Sequence, residues 1–268
     1  MRELLLNSSS ARSPRMIRLR ELEKVKLREG VLVQGLPGIG LVGKLAVDYV
    51  VRELKLPKVA EAYIDGLMLH ANVAVFVDDE AVIKLPTYDF HLFRGSRRDV
   101  LFLTAPAQPV AWMQYEVAEH VLDYFQSIGG MEVVGVCGTT MGEGEGVYFA
   151  ATSRETREEL IRLGFKPSPG GVITGACGLL PALAYLRGMK AYVLMGYVTQ
   201  PELDPVAAKH LVQALSRIFE IQVDTRNLDA LIEEVRKKER EVSEMMEKFR
   251  EELAERARTR EGAPPFYV

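Results

Sequence analysis

Apolar positions fall into two kinds of run along this chain, short β-rich ones and longer ones of helical period. Residues 31–33 make a short run that ends in a glycine loop, "GLPGIGLVG", and residues 41–54 then read as a helix stopped by Pro57. Residues 59–64, 71–77 and 81–85 read as strands, the last two joined by a hairpin turn at "VDDE". Residues 100–104 and 133–137 are continuous apolar runs, as expected of strands covered on both faces. Helices are expected over 110–128, closed by Gly129 and Gly130, and over 154–163, capped by Ser153 and ended by Gly164. A small-residue helix over 174–186, a strand over 191–197 and a helix over 204–219 with Pro205 in its first turn complete the series. Strands alternating with helices of this length predict an α/β domain with a mainly parallel sheet and helices on both faces. It spans residues 28–222 and follows a leader or edge segment, 1–27.

The pattern changes after Asp224. Residues 228–260 are rich in Glu, Lys and Arg and contain no Gly or Pro. Leu228, Val235, Val242 and Phe249 fall seven apart, and Leu231 and Met245 hold the companion position, which Lys238 and Glu252 interrupt. The expected element is one long charged helix within 223–261. Its narrow stripe either packs back on its own domain or meets a second subunit's helix. Residues 262–268 follow as an extended tail stiffened by Pro264 and Pro265 and ending in Phe266, Tyr267 and Val268.

The composition, 48% hydrophobic and 26% charged over 268 residues, allows an ordinary core that needs no disulfide or metal. A net charge of −3 implies no pull toward nucleic acid or an anionic membrane. The uncharged run at 167–186 is broken by prolines and glycines and is not read as a span. Cys137 and Cys177, forty positions apart among small neighbours, read as buried hydrophobes in a reducing cytosol; the alternative is a reactive thiol in "TGACG".

Two nucleotide motifs overlap in the glycine loop. From Gly38 to Lys44 the chain fits most of a P-loop, but Leu45 stands where the metal-binding hydroxyl belongs, and neither later strand ends in an acid. Gly38, Gly40 and Gly43 also fit a dinucleotide fingerprint, with Glu61 or Asp65 as the following acid, but Pro37 precedes it. The favoured reading is structural: Gly35, Gly38, Gly40 and Gly43 let the strand turn tightly and the helix pack close. No cofactor and no metal site are expected. His70, His91, His120 and His210 are scattered, and no nucleophile elbow is present. Glu143 and Glu145 in "MGEGEGVYF", and Tyr88, Asp89 and His91 in "PTYDFH", read as solvated loops. A small-molecule site or enzyme in the cleft by Gly38–Gly43, with Thr139, Thr140 and Glu143 nearby, stays open as a rival.

"GLPGIGLVGKLAVDYVV", then "CGTT" at a strand end, then "GVITGACGLLPALAYLRGM" resemble, in that order, archaeal members of the proteasome assembly chaperone two family, over residues 30–219. The resemblance implies a three-layer α/β/α fold like that of the nucleoside phosphorylases and a cytoplasmic protein without catalysis. It gives the tail a meaning, since Phe266, Tyr267 and Val268 fit the hydrophobic–tyrosine–any motif that proteasome activators and some assembly chaperones use. The implied partners are 20S proteasome α-subunits and further copies of this chain; a scaffold role for another family member is the alternative. Neither nucleic acid nor membrane is expected as a partner.

Overall fold

The computed structural model describes residues 17–67 and 74–261. The chain divides into two compact units between Asp224 and Thr225. The first is built on strands β1 (Ile17–Glu21), β2 (Gly30–Gly35), β3 (Lys58–Ile64), β6 (Thr87–Arg94), β7 (Asp99–Thr104), β8 (Gly130–Thr139), β9 (Val147–Ala151), β10 (Lys166–Pro167) and β11 (Lys190–Tyr197). They form one sheet in the order β1-β3-β6-β7-β2-β8-β11-β9-β10. The four central strands, β7, β2, β8 and β11, run parallel, while β1, β3 and β6 extend the sheet antiparallel on one side and β9 turns antiparallel on the other. Two-residue strands β4 (Phe76–Val77) and β5 (Ile83–Lys84) make a separate hairpin, its turn held by Glu80 and Val82 N–H groups donating to the Asp78 carboxylate.

Helices α1 (Val42–Glu53) and α5 (Pro205–Phe219) pack together on one face of the sheet, and α2 (Gln114–Ser127) and α4 (Ala176–Leu186) on the other. Strand glycines set both contacts. A Cβ on Gly35 would meet the Gly43 carbonyl of α1 at 2.3 Å, and one on Gly135 would meet the Cys177 carbonyl of α4 at 2.2 Å. The α2/α4 side carries the larger core, centred on Leu32, Leu101, Leu103, Phe90, Leu122 and Phe125. Helix α3 (Arg154–Arg162) lies by β9 and β10, and the Ser153 hydroxyl accepts its Thr156 N–H. This is an α/β fold with a mixed sheet, parallel at its centre, and helices on both faces.

Two expectations about the first unit are corrected. Residues 87–94 are strand β6 and not a loop: Tyr88, Phe90 and Leu92 point into the core, and Asp89 and His91 line the opposite face. Residues 147–149, the end of the "MGEGEGVYF" segment, are not loop but belong to β9, which pairs with β11. Residues 17–21, within the expected leader or edge segment, form the sheet's edge strand against β3.

The second unit holds α6 (Arg226–Glu261), 36 residues, or about 54 Å at 1.5 Å per residue. Lys238 pairs with Glu234 at 2.7 Å and Arg236 with Glu233 at 3.0 Å along its surface. The stripe divides into two parts. Leu228 is buried and Leu231 and Val235 are half-buried, whereas Val242, Met245 and Phe249 are 59, 70 and 56% exposed. Ile232, off the heptad, is buried as well. Among the described residues no helix is long and apolar enough to cross a membrane.

Candidate functional site at the carboxyl edge of the parallel strands

The glycine loop leaves β2 and enters α1 through a short 3-10 turn, Ile39–Leu41. Gly40 has φ +62°, in the region that favours glycine. Its N–H donates to the Pro201 carbonyl at 2.7 Å, and its carbonyl accepts the Asp204 N–H at 2.9 Å. Asp204 is buried and anchors this corner. Its carboxylate accepts the Ala207 N–H at the head of α5, the Thr199 and Gln200 N–H groups and the Thr199 hydroxyl. Gly43 sits against β8, where a Cβ would lie 2.0 Å from the Val136 carbonyl oxygen. Gly38 differs from the structural role expected of it: its φ is −159°, open to any residue, and a Cβ there would meet nothing within 4 Å. It lines a cavity instead.

Lys44 is turned away from that cavity. It pairs with Asp48 at 2.6 Å and lies 3.5 Å from the Thr104 hydroxyl, which itself donates to Asp48. The ammonium a P-loop would aim at phosphate is thus held on the flank of α1. Glu61, the acid considered for a dinucleotide ribose, is bound by Lys58, Arg20 and the Tyr63 hydroxyl. Burial pushes the Glu61 carboxyl up, but these partners outweigh it and hold it below its ordinary value.

The cavity, of about 550 Å³, opens beyond the carboxyl ends of β2 and β8 on the α4 side of the sheet. Gly38 and Ile39 of the glycine loop form one wall, Thr139 and Thr140 another, and the segment 167–174 a third. Gln108 ties the walls together. Its amide nitrogen donates to the Pro37 carbonyl at 2.6 Å, and its oxygen accepts the Ala176 N–H at the start of α4. Gln34 also lines the cavity, only 1% exposed, and among the described residues neither its amide nitrogen nor its oxygen has a partner.

Cys137 of β8 and Cys177 of α4 also line the cavity and are joined as a disulfide, which corrects their reading as separate reduced residues. The close approach of α4 at Gly135 brings their Cα atoms to 6.3 Å, within disulfide reach. So paired, Cys177 in "TGACG" is not a free thiol in this structure.

Other sequence candidates lie elsewhere. Glu143 and Glu145 are exposed and do not line the cavity; the Tyr148 hydroxyl pins their loop, accepting the Glu143 N–H and donating to its carbonyl. His91 lies by the Leu56 carbonyl and His120 by the Glu116 carbonyl, and burial pushes the His91 imidazole down. Among the described residues no group of three or more His, Cys, Asp or Glu could hold a metal. His70 and the tail residues Phe266, Tyr267 and Val268 lie outside the described residues.

Gln34, Gln108 and Arg157 of α3, all on the cavity wall, are not among the residues the sequence singles out. One signal was available: a glutamine inside the buried run "VLVQG" is a polar residue where strand pattern wants an apolar one.

The fold around this site is shared with a known class of proteins. The PAC2 family model matches residues 32–246, and the chain belongs to that family. The structure is similar to PbaB of Pyrococcus furiosus, described as an archaeal proteasome activator: TM-score 0.77 and 28% identity, over 86% of this chain and all of that one. It is also similar in fold to PbaA of the same organism, described as an archaeal homolog of proteasome-assembly chaperone: TM-score 0.69 and 23% identity, over 90% of this chain and 98% of that one. In sequence, an uncharacterized protein of Methanocaldococcus jannaschii is 27% identical, over 89% of this chain and 90% of its own length.

Proposed function

We propose that this chain is a cytoplasmic, homo-oligomeric factor of archaeal type that binds the 20S proteasome α-ring, as an assembly chaperone or activator, without ATP and without catalysis of its own. The observation that carries this reading is PAC2 membership together with likeness to a described proteasome activator over that protein's whole length. The proposed anchor is Phe266, Tyr267 and Val268. A terminal carboxylate would pair with a lysine between neighbouring α-subunits. Tyr267 would add apolar area and a hydroxyl, and Phe266 would fill an apolar recess. A single tail binds weakly, but several on one oligomer gain by effective concentration. The exposed seam of α6, Val242, Met245 and Phe249, is the surface we assign to subunit association.

The test is binding to archaeal 20S cores and to isolated α-rings, comparing the full chain with one lacking residues 266–268. Binding that disappears with the three residues supports the anchor. Binding that survives their removal refutes the anchor, and absence of binding by either chain refutes the proteasome reading.

A further inference from the structure

The cavity beside the glycine loop has no place in a docking function, yet its chemistry is specific. Gln34 is the first observation. Buried polar groups are almost always hydrogen-bonded, and one left without a partner is costly. Here, among the described residues, both ends of a buried side-chain amide are unpaired on the wall of a cavity whose volume lies in the range of small-molecule sites. An amide offers a donor and an acceptor side by side. Its complement is a group that offers the same pair, such as the edge of adenine or another carboxamide.

Charge is the second observation. Among the described residues no Asp, Glu, His or Lys lines the cavity, and the one charged side chain on its wall is Arg157 of α3. Arg157 is exposed, and among the described residues no carboxylate pairs with it. The first turn of α4 adds Cys177 to the same wall, at a helix end that favours negative charge. The position also fits, since open α/β sheets bind ligands beyond the carboxyl ends of their parallel strands.

We infer that this cavity binds a small anion carrying a planar donor–acceptor edge, of mononucleotide type, with Gln34 reading the edge and Arg157 holding the anionic group. The inference does not depend on the proteasome reading, because every residue it uses precedes Asp224 and the proposed anchor is residues 266–268.

The experiment is calorimetric titration of the full chain with adenosine monophosphate and with nicotinamide mononucleotide, which present the two kinds of edge. Adenosine and inorganic phosphate each supply half of the ligand. At least one mononucleotide is expected to bind, and to bind tighter than either half. Gln34→Leu should weaken it at least tenfold. Arg157→Ala, at an exposed position, should weaken the mononucleotide but leave adenosine or nicotinamide riboside unchanged, and it keeps the test open should Gln34→Leu fail to fold. No heat with either mononucleotide at millimolar concentration overturns the inference. So does binding that persists unchanged in both variants, or phosphate binding as tightly as the mononucleotides.

Discussion

Gly43→Ala separates a packing role for the glycine loop from a ligand role. The added methyl would sit 2.0 Å from the Val136 carbonyl oxygen, 2.7 Å from its carbon and 3.1 Å from Cys137 Cα. A carbon–oxygen contact is ordinary at about 3.3 Å, so α1 must retreat from β8 by roughly 1.3 Å. The obstacle is backbone on both sides and has no rotamer to change. A gap of that size forfeits about half of the dispersion contact on the buried face of α1, where Val42, Ala46, Val47 and Val50 are at most 1% exposed. Overpacking costs about 1–3 kcal/mol and occasionally more, and this site belongs at the upper end. Better helix propensity returns at most about 1 kcal/mol. The expected net loss is roughly 2–3 kcal/mol, read as a lower guanidinium midpoint by far-UV circular dichroism. Gly38→Ala is the paired control, because open space and an extended φ predict a change within about 0.5 kcal/mol. Two variants of equal stability would refute this account of the loop.

Three further outcomes follow from the same geometry. Cys137 and Cys177 close a loop of forty residues, worth about 4 kcal/mol by the chain-entropy model; Cys177→Ala should lose a comparable amount, and two titratable thiols in the unreduced, denatured chain would refute the pairing. Asp99 is buried beneath Arg28 and Arg94; burial pushes its carboxyl up, but hydrogen bonds from both arginines outweigh this and hold it below its ordinary value. Its stabilisation is therefore complete above the unfolded value of about 4 and lost as pH falls through the folded value. Asp99→Asn should flatten the acid limb of the stability profile, and an unchanged limb would count against the cluster. Val242→Glu, Met245→Glu and Phe249→Glu together should reduce the sedimenting mass with helix content unchanged, and an oligomer of unchanged mass would remove the seam from subunit association.

Where local chemistry decided the structure, the sequence was readable. Ser153 and Asp204 cap the helices that follow them, and the apolar runs at 31–33 and 100–104 are fully buried strands, as their composition requires. Where the structure depends on what lies across the sheet, reading failed. Strand β1 is "IRLRE", a leader or an edge segment by its sequence, and only Arg20 beside Glu61 on β3 decides for the edge. Strand β6 carries Asp89 and His91 outward and so resembled a loop, although Tyr88, Phe90 and Leu92 alternate with them. The disulfide was hidden for the same reason, because forty residues of chain separate two cysteines that one close helix contact unites.

The overlapping glycine motifs are resolved by direction. In a nucleotide loop the glycines clear room for phosphate. Here Gly35 and Gly43 clear room for each other and for β8, Gly40 is spent on a hydrogen-bonded corner with Pro201 and Asp204, and Lys44 is committed to Asp48. What remains for a ligand lies on the other face of the sheet, where Gln34 replaces an apolar residue in the middle of a core strand. A fold selected only for packing would gain by placing leucine there, since an unpaired buried amide destabilises and an apolar group of similar shape does not. Gly35, Gly40 and Gly43 therefore serve packing, and the glutamine is a feature that packing leaves unexplained.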